Sequence, residues 1–243
     1  MNTNNLPAIK ENFEFKNELN SSRATLYLYG TIRQSYYGEE EDITINAKRV
    51  INVLQELNGK PLDIHINSNG GDAFESITIG NQLKAYSGDV DIYIDGIAGS
   101  GASIIVRGAD NVFMYKNSMQ MIHRAWTYTD GNSEKLRKVA DDLEKLDNAV
   151  MASYKADFVG TDEELEELVK SETFLTADEC LAFGLCTKII DDAQPTIPKP
   201  QADIKETLFN KYKKDFQNEF KPPISNPAGN GLFKNFNNKG EMK

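Results

Sequence analysis

The sequence predicts an α/β fold of repeated strand–turn–helix units, followed by a C-terminal tail that is disordered or partly helical. Three observations predict it. Leu62-Asp63-Ile64-His65-Ile66-Asn67 alternates apolar and polar side chains, turns at Ser68-Asn69-Gly70-Gly71, and meets a helix start at Asp72. The same device recurs: Val90 to Asp95 alternates, Gly96 to Gly101 is glycine-rich, and Ile104-Ile105-Val106 continues as an apolar, helix-like segment. Third, composition changes at Asp191, beyond which lie six of the eight prolines and many Asn and Lys. Repeated strand–helix units place ligands at the strand ends.

Residues 1–22 are polar and Asn-rich and are expected to form a flexible arm; residues 23–190 make the folded domain. Ala24 to Gly30 alternates and ends on a turn residue, a strand pattern. The acidic run Glu39-Glu40-Glu41-Asp42 is expected as a solvated loop or helix start, and Ile43 to Leu57 carries apolar residues at helical spacing. Asp72 and Glu75 have capping-box form, and the helix they open runs through Phe74, Ile77 and Leu83. Asn111–Tyr115 and Met119–His123 read as short strands, and Arg124 to Thr129 stays extended until Asp130-Gly131-Asn132 breaks it. Leu136, Val139, Ala140, Leu143, Leu146 and Val150 then line one face of a long helix. A short acidic helix (Glu163–Val169), the extended Phe174-Leu175-Thr176, a helix from Ala177 to Phe183 ended by Gly184, and a closing strand from Cys186 to Ile190 complete the domain. Within the tail, 191–243, the spacing of Ile204, Leu208, Tyr212, Phe216 and Phe220 predicts an amphipathic helix over 204–220.

Bulk properties exclude several function classes. A net charge of −10 disfavours nucleic acid or an anionic membrane as the main partner. No apolar run approaches spanning length, and Met1-Asn2-Thr3-Asn4-Asn5 lacks the basic and apolar regions of a signal peptide. Cys180 and Cys186 are expected as reduced thiols of a cytoplasmic protein. With two cysteines, two histidines and no metal-binding spacing, no metal site is expected.

The second glycine turn lifts one hydroxyl, that of Ser100, to the end of a strand and the start of a helix, and Gly99 and Gly101 allow another backbone to come close. Two such turns side by side would aim two backbone N–H groups at one point. A serine nucleophile needs a base. His65 lies mid-strand on the polar face, a structural position, whereas His123 ends an apolar strand where its ring can reach a cleft. The base needs an orienting acid; Glu172, Asp178 and Glu179 are available, and spacing does not choose among them.

Four motifs in order carry a family resemblance: Ile66-Asn67-Ser68-Asn69-Gly70-Gly71, Gly96-Ile97-Ala98-Gly99-Ser100-Gly101, Met121-Ile122-His123, and Glu172-Thr173-Phe174-Leu175-Thr176-Ala177-Asp178-Glu179 with Phe183-Gly184-Leu185. From about Leu26 to Ile190 the chain resembles the proteolytic subunit of the Clp protease, ClpP, a serine peptidase family. The resemblance implies a ClpP/crotonase-like fold, with Ser100 as nucleophile, His123 as base and Glu172 as orienting acid. It implies an oxyanion hole from the N–H groups of Gly71 and Gly101. A peptide would lie as an added strand between Gly70, Asp72 and their loop on one side and Arg124, Ala125 and Trp126 on the other. No cofactor is implied. The partners implied are a protein or peptide substrate and copies of the chain itself, in a heptameric ring or a stacked pair of rings.

The chain departs from the family pattern at Glu172, where an Asp is usual, at Asn69 for Pro, at Gly99 for Ala, and at Arg124-Ala125 for Gln-Pro. The polar arm does not resemble the axial segment that engages an ATPase, so an unfoldase partner is not expected. With Trp126 after the histidine and the Glu-Thr-Phe-Leu-Thr run, the chain looks most like the ClpP-related head maturation proteases of tailed phages. The expected function is therefore an ATP-independent serine endopeptidase that processes capsid or scaffold proteins, in the host cytoplasm or the assembling prohead. The alternatives are an ATPase-partnered degradative subunit and a non-proteolytic crotonase-like ring that holds acyl-CoA.

Overall fold

The computed structural model describes residues 7–35 and 43–190. The acidic run 39–42, the tail 191–243 and its expected helix 204–220 lie outside the described residues. Fifteen segments follow in order: strand β1 (Asn12–Lys16), β2 (Ala24–Ile32), helix α1 (Ala47–Leu57), β3 (Leu62–Gly71), α2 (Ala73–Lys84), β4 (Val90–Gly99), α3 (Gly101–Ile105) running into a 3-10 turn (Val106–Gly108), β5 (Asn111–Tyr115), β6 (Met119–Ile122), α4 (Ser133–Lys155), α5 (Asp162–Lys170), β7 (Thr173–Thr176), α6 (Ala177–Ala182) and β8 (Lys188–Ile190). The α/β class and the repeated strand–turn–helix units agree with expectation.

The strands form one sheet in the order β1-β2-β3-β4-β5-β8, parallel from β2 onward. Alternation explains the layering. Leu26, Leu28, Leu62, Ile64, Ile66, Val90, Ile92 and Ile94 all point into the core, while the residues between them stay half-buried on the other face. On that second face Tyr27, His65, Tyr93 and Phe113 stand in register on four neighbouring strands and stack ring on ring at 4.9–5.1 Å.

The sheet divides at β4, and the site depends on this. Asp91 to Ile94 pair with β5, but Ile97 to Gly99 pair with β6, which pairs in turn with β7. Beyond Gly96 the strand therefore leaves one neighbour and takes another. The end of β4 is thereby wedged between β3, where Ala98 faces Ser68, and β6, where Gly99 faces Met121.

Three expectations need correction. The expected flexible arm 1–22 contains β1, which pairs antiparallel with β2 from Asn12↔Tyr29 to Lys16↔Thr25. Phe13 and Phe15 alternate along it and pack on the core, and the Arg49 guanidinium lies 3.8 Å from the centre of the Phe13 ring. The first helix begins at Ala47 rather than Ile43, because the Asn46 side chain accepts the Arg49 N–H at 3.0 Å and so sets the start. The capping box expected at Asp72 is half formed: Asp72 accepts the Glu75 N–H at 2.9 Å. Glu75 instead reaches across to accept the Ala47 N–H at 2.7 Å, so one carboxylate ties α2 to the start of α1.

Candidate active site

Ser100 sits between the end of β4 and the start of α3 with φ 52° and ψ −122°. A non-glycine residue adopts this conformation only where its surroundings hold it there, at a cost of about 1–3 kcal/mol. Three hydrogen bonds do so. The Ser100 N–H donates to Met121 O at 2.8 Å, and the Ser100 carbonyl accepts from the Ser103 N–H at 2.9 Å and the Ser103 hydroxyl at 2.5 Å. The elbow is thus held by β6 on one side and by its own helix on the other.

Because Gly99 faces Met121, the residue two places beyond Met121 comes level with the elbow. That residue is His123, and its Nε2 lies 2.7 Å from Ser100 Oγ. In the tautomer with its proton on Nδ1, the imidazole accepts the serine proton. His123 is 6% exposed, and burial pushes its pKa below the ordinary histidine value, against the opposing charges of Glu172 and Asp147. A ring that is neutral at pH 7 and hydrogen-bonded to a strained hydroxyl can act as a general base.

The two glycine turns meet at this point. Gly70 and Gly71 have φ of 100° and 151°. A Cβ on Gly70 would lie 2.7 Å from Ser100 Cβ and 2.8 Å from the Gly101 nitrogen. On Gly71 it would overlap the carbonyl oxygen of Ile32, and on Gly101 it would overlap the Ser76 hydroxyl and come within 3.5 Å of the Gly71 nitrogen. Glycine is required so that the two backbones can approach. Gly101 opens α3, so its N–H has no intrahelical acceptor.

A cleft of about 650 Å³ opens over these groups. Gly70, Gly71, Asp72, Ser100 and Gly101 form its floor, and His123, Arg124, Ala125 and Trp126 follow along one side. Val139, Leu143, Leu146 and Val150 of α4 supply an apolar wall. Phe74 and Trp126 remain 68% and 50% exposed at the rim. Every residue expected to contact a peptide thus borders one cleft.

Glu172 is placed differently. It is exposed, lies in the turn between α5 and β7 at φ 49°, and does not line the cleft. Its charge acts on His123, but no hydrogen bond joins the two side chains. Asp178 is exposed, and Glu179 turns back to accept the Thr176 N–H at 2.8 Å as part of a helix cap. His65 is bound to Asp95 at 3.0 Å within the ring stack, in keeping with the structural position read from the sequence. Sequence reading missed three contributors to the site: Ser103, Tyr154 and Asp147. Ser103 carries no local signal. Asp147 and Tyr154, whose hydroxyl lies 2.6 Å from that of Ser103, fall at helical spacing within the apolar stripe of α4, four residues after Leu143 and Val150 respectively. A carboxylate inside an apolar stripe is the signal that could have marked Asp147.

Comparison with known proteins gives the family of the chain. The model of the Clp protease family matches residues 38–193. The chain is 28% identical over 184 residues to the ATP-dependent Clp protease proteolytic subunit 2 of Treponema denticola, covering 73% of this chain and 92% of the relative. It is 29% identical over 137 residues to the ATP-dependent Clp protease proteolytic subunit 1 of Protochlamydia amoebophila (55% of this chain, 66% of the relative). It is 25% identical over 171 residues to the ATP-dependent Clp protease proteolytic subunit of Staurastrum punctulatum (68% and 85%). With the match spanning more than half its length, this chain belongs to the Clp protease family.

Proposed function

We propose that the chain is a serine endopeptidase in which Ser100 attacks the peptide carbonyl while His123 Nε2 takes its proton. The observation that carries this reading is the 2.7 Å approach of His123 to a serine held in a strained elbow. The Ser100 Oγ–carbonyl carbon bond forms, and the carbonyl π electrons move onto oxygen, where the N–H groups of Gly71 and Gly101 receive the charge. Collapse breaks the C–N bond, and the imidazolium gives its proton to the departing amine. Water, deprotonated by His123, then hydrolyses the acyl-enzyme. Glu172 stabilises the imidazolium through space, and the peptide lies between the Gly70–Asp72 loop and the Arg124–Trp126 segment.

The relatives are named as ATP-dependent proteolytic subunits, which favours a degradative ring fed by an unfoldase ATPase over head maturation. Trp126 after the histidine and the Glu172–Thr176 run favour the second reading, a capsid or scaffold processing protease of phage type. Both readings have a homo-oligomeric ring in the cytoplasm or, in the second, in the prohead. The test is digestion of a folded and an unfolded substrate by the full chain, with and without a Clp ATPase and ATP. Ser100→Ala is expected to lower turnover at least about a thousandfold in every case. Digestion of the folded substrate only with ATPase and ATP supports the first reading; ATP-independent cutting of a scaffold protein at fixed sites supports the second.

A further inference from the structure

We propose that Asp147 is a positioning residue for the Ser100–His123 pair, fixing the backbone directly after the imidazole to α4. The proposal rests on the serine endopeptidase reading above. His123 follows the last residue of β6, and residues 124–132 continue without any strand partner, so the sheet holds the imidazole from one side only. The other side is held by one carboxylate. Asp147 Oδ1 accepts the Ala125 N–H at 2.7 Å, and Asp147 Oδ2 faces Arg124 Nε at 3.8 Å. A single side chain thus straddles the two residues that follow the base. Arg124 is itself steadied from α5, its Nη2 donating to Glu166 Oε1 at 3.2 Å.

The Asp147 side chain is only 18% exposed, so this hydrogen bond is largely shielded from competing water. The Ala125 N–H is consumed by it and is therefore not offered to a peptide. The contrast with Glu172 is physical: that carboxylate lies in an exposed turn with no hydrogen bond to the ring, so it lends charge without fixing an orientation. The charged groups that act on His123 are Glu172 from the turn before β7 and Asp147 from α4. Arg124 Nε, 3.8 Å from Asp147 Oδ2, partly offsets that carboxylate's charge.

The test is the rate at which a small fluorophosphonate modifies Ser100 in the full chain, measured from pH 5 to 8. This probe needs the serine–imidazole alignment but not the peptide-binding segment. Asp147→Ala removes the acceptor and is expected to slow modification about tenfold or more, as a misplaced base does. Asp147→Asn keeps an acceptor oxygen and is expected to stay within about threefold of the parent at pH 7.5, with its acid inflection moved to lower pH because a charge that favours the imidazolium is gone. Should the alanine variant fail to fold, Asp147→Leu, which keeps the bulk but offers no acceptor to the Ala125 N–H, takes its place with the same expected loss. A parental rate in the folded alanine or leucine variant overturns the positioning role of Asp147 alone, whatever its inflection does. An unreactive parent chain overturns the hydrolytic pair, and this proposal with it.

Discussion

The Tyr154 hydroxyl lies 2.6 Å from the Ser103 hydroxyl, and Ser103 already gives its proton to the Ser100 carbonyl. Tyr154 must therefore donate, and burial pushes its pKa up to about 12, which keeps it protonated across the working range. A donor chain thus runs from α4 through α3 to the serine elbow. Tyr154→Phe is expected to cost about 1 kcal/mol and to lower the melting temperature by about 2–4 °C. Turnover should fall by less than about tenfold, because two of the three bonds on the elbow do not involve α4. Calorimetry and steady-state assays on the same preparation check both.

Gly71 admits no side chain. Its φ of 151° and the carbonyl of Ile32 leave no room for a methyl group. Gly71→Ala is expected to cost about 1–3 kcal/mol in stability. It should also cost about a hundredfold in turnover, because the N–H it moves is one of the two donors proposed for the oxyanion. Retained turnover in a folded Gly71→Ala chain would place the oxyanion elsewhere.

The pH dependence follows from the buried imidazole. His123 must be neutral to accept the serine proton, and its pKa lies below the ordinary histidine value because burial outweighs the two nearby carboxylates. Activity is therefore expected to be full at neutral pH and to fall only as pH drops below about 6.5. Glu172→Gln removes a charge that raises this pKa, so the acid limb should move to lower pH as the maximal rate declines. A limb above pH 6.5 contradicts the sign.

Glu172 offers a separation of stability from activity. It holds φ 49° at the end of α5, where a non-glycine residue costs about 1–2 kcal/mol and a negative charge opposes the helix dipole. Glu172→Gly is expected to raise the melting temperature while lowering turnover. If both fall, the turn is stabilised by contacts that the strained backbone conformation does not account for.

Much of this arrangement was legible in the chain because local chemistry wrote it. The alternation of Leu62–Ile66 and Val90–Ile94 announced two core strands, and each glycine corner announced a close approach that the structure provides. The rest depended on distant partners. Asn12 to Lys16 is too short and too polar to declare itself a strand, and only the free edge of β2 makes it one. Glu75 has the spacing of a local cap yet finds its second partner 28 residues away at Ala47. The division of the sheet at Gly96, which brings Met121 and hence His123 beside Ser100, is a matter of pairing between strands. Asp147 lies on the cleft-facing side of α4, four residues after Leu143 and three before Val150. Its bond to the Ala125 N–H, 22 residues away in the chain, is a tertiary contact that periodicity alone does not record.

The central claim is that Ser100 is activated by His123. Reaction of the full chain with a fluorophosphonate, followed by peptide mapping, tests it most directly. One adduct per chain on Ser100, formed at least about a hundredfold more slowly in His123→Ala, is the expected result. Modification at another residue, or equal rates with and without the imidazole, contradicts it.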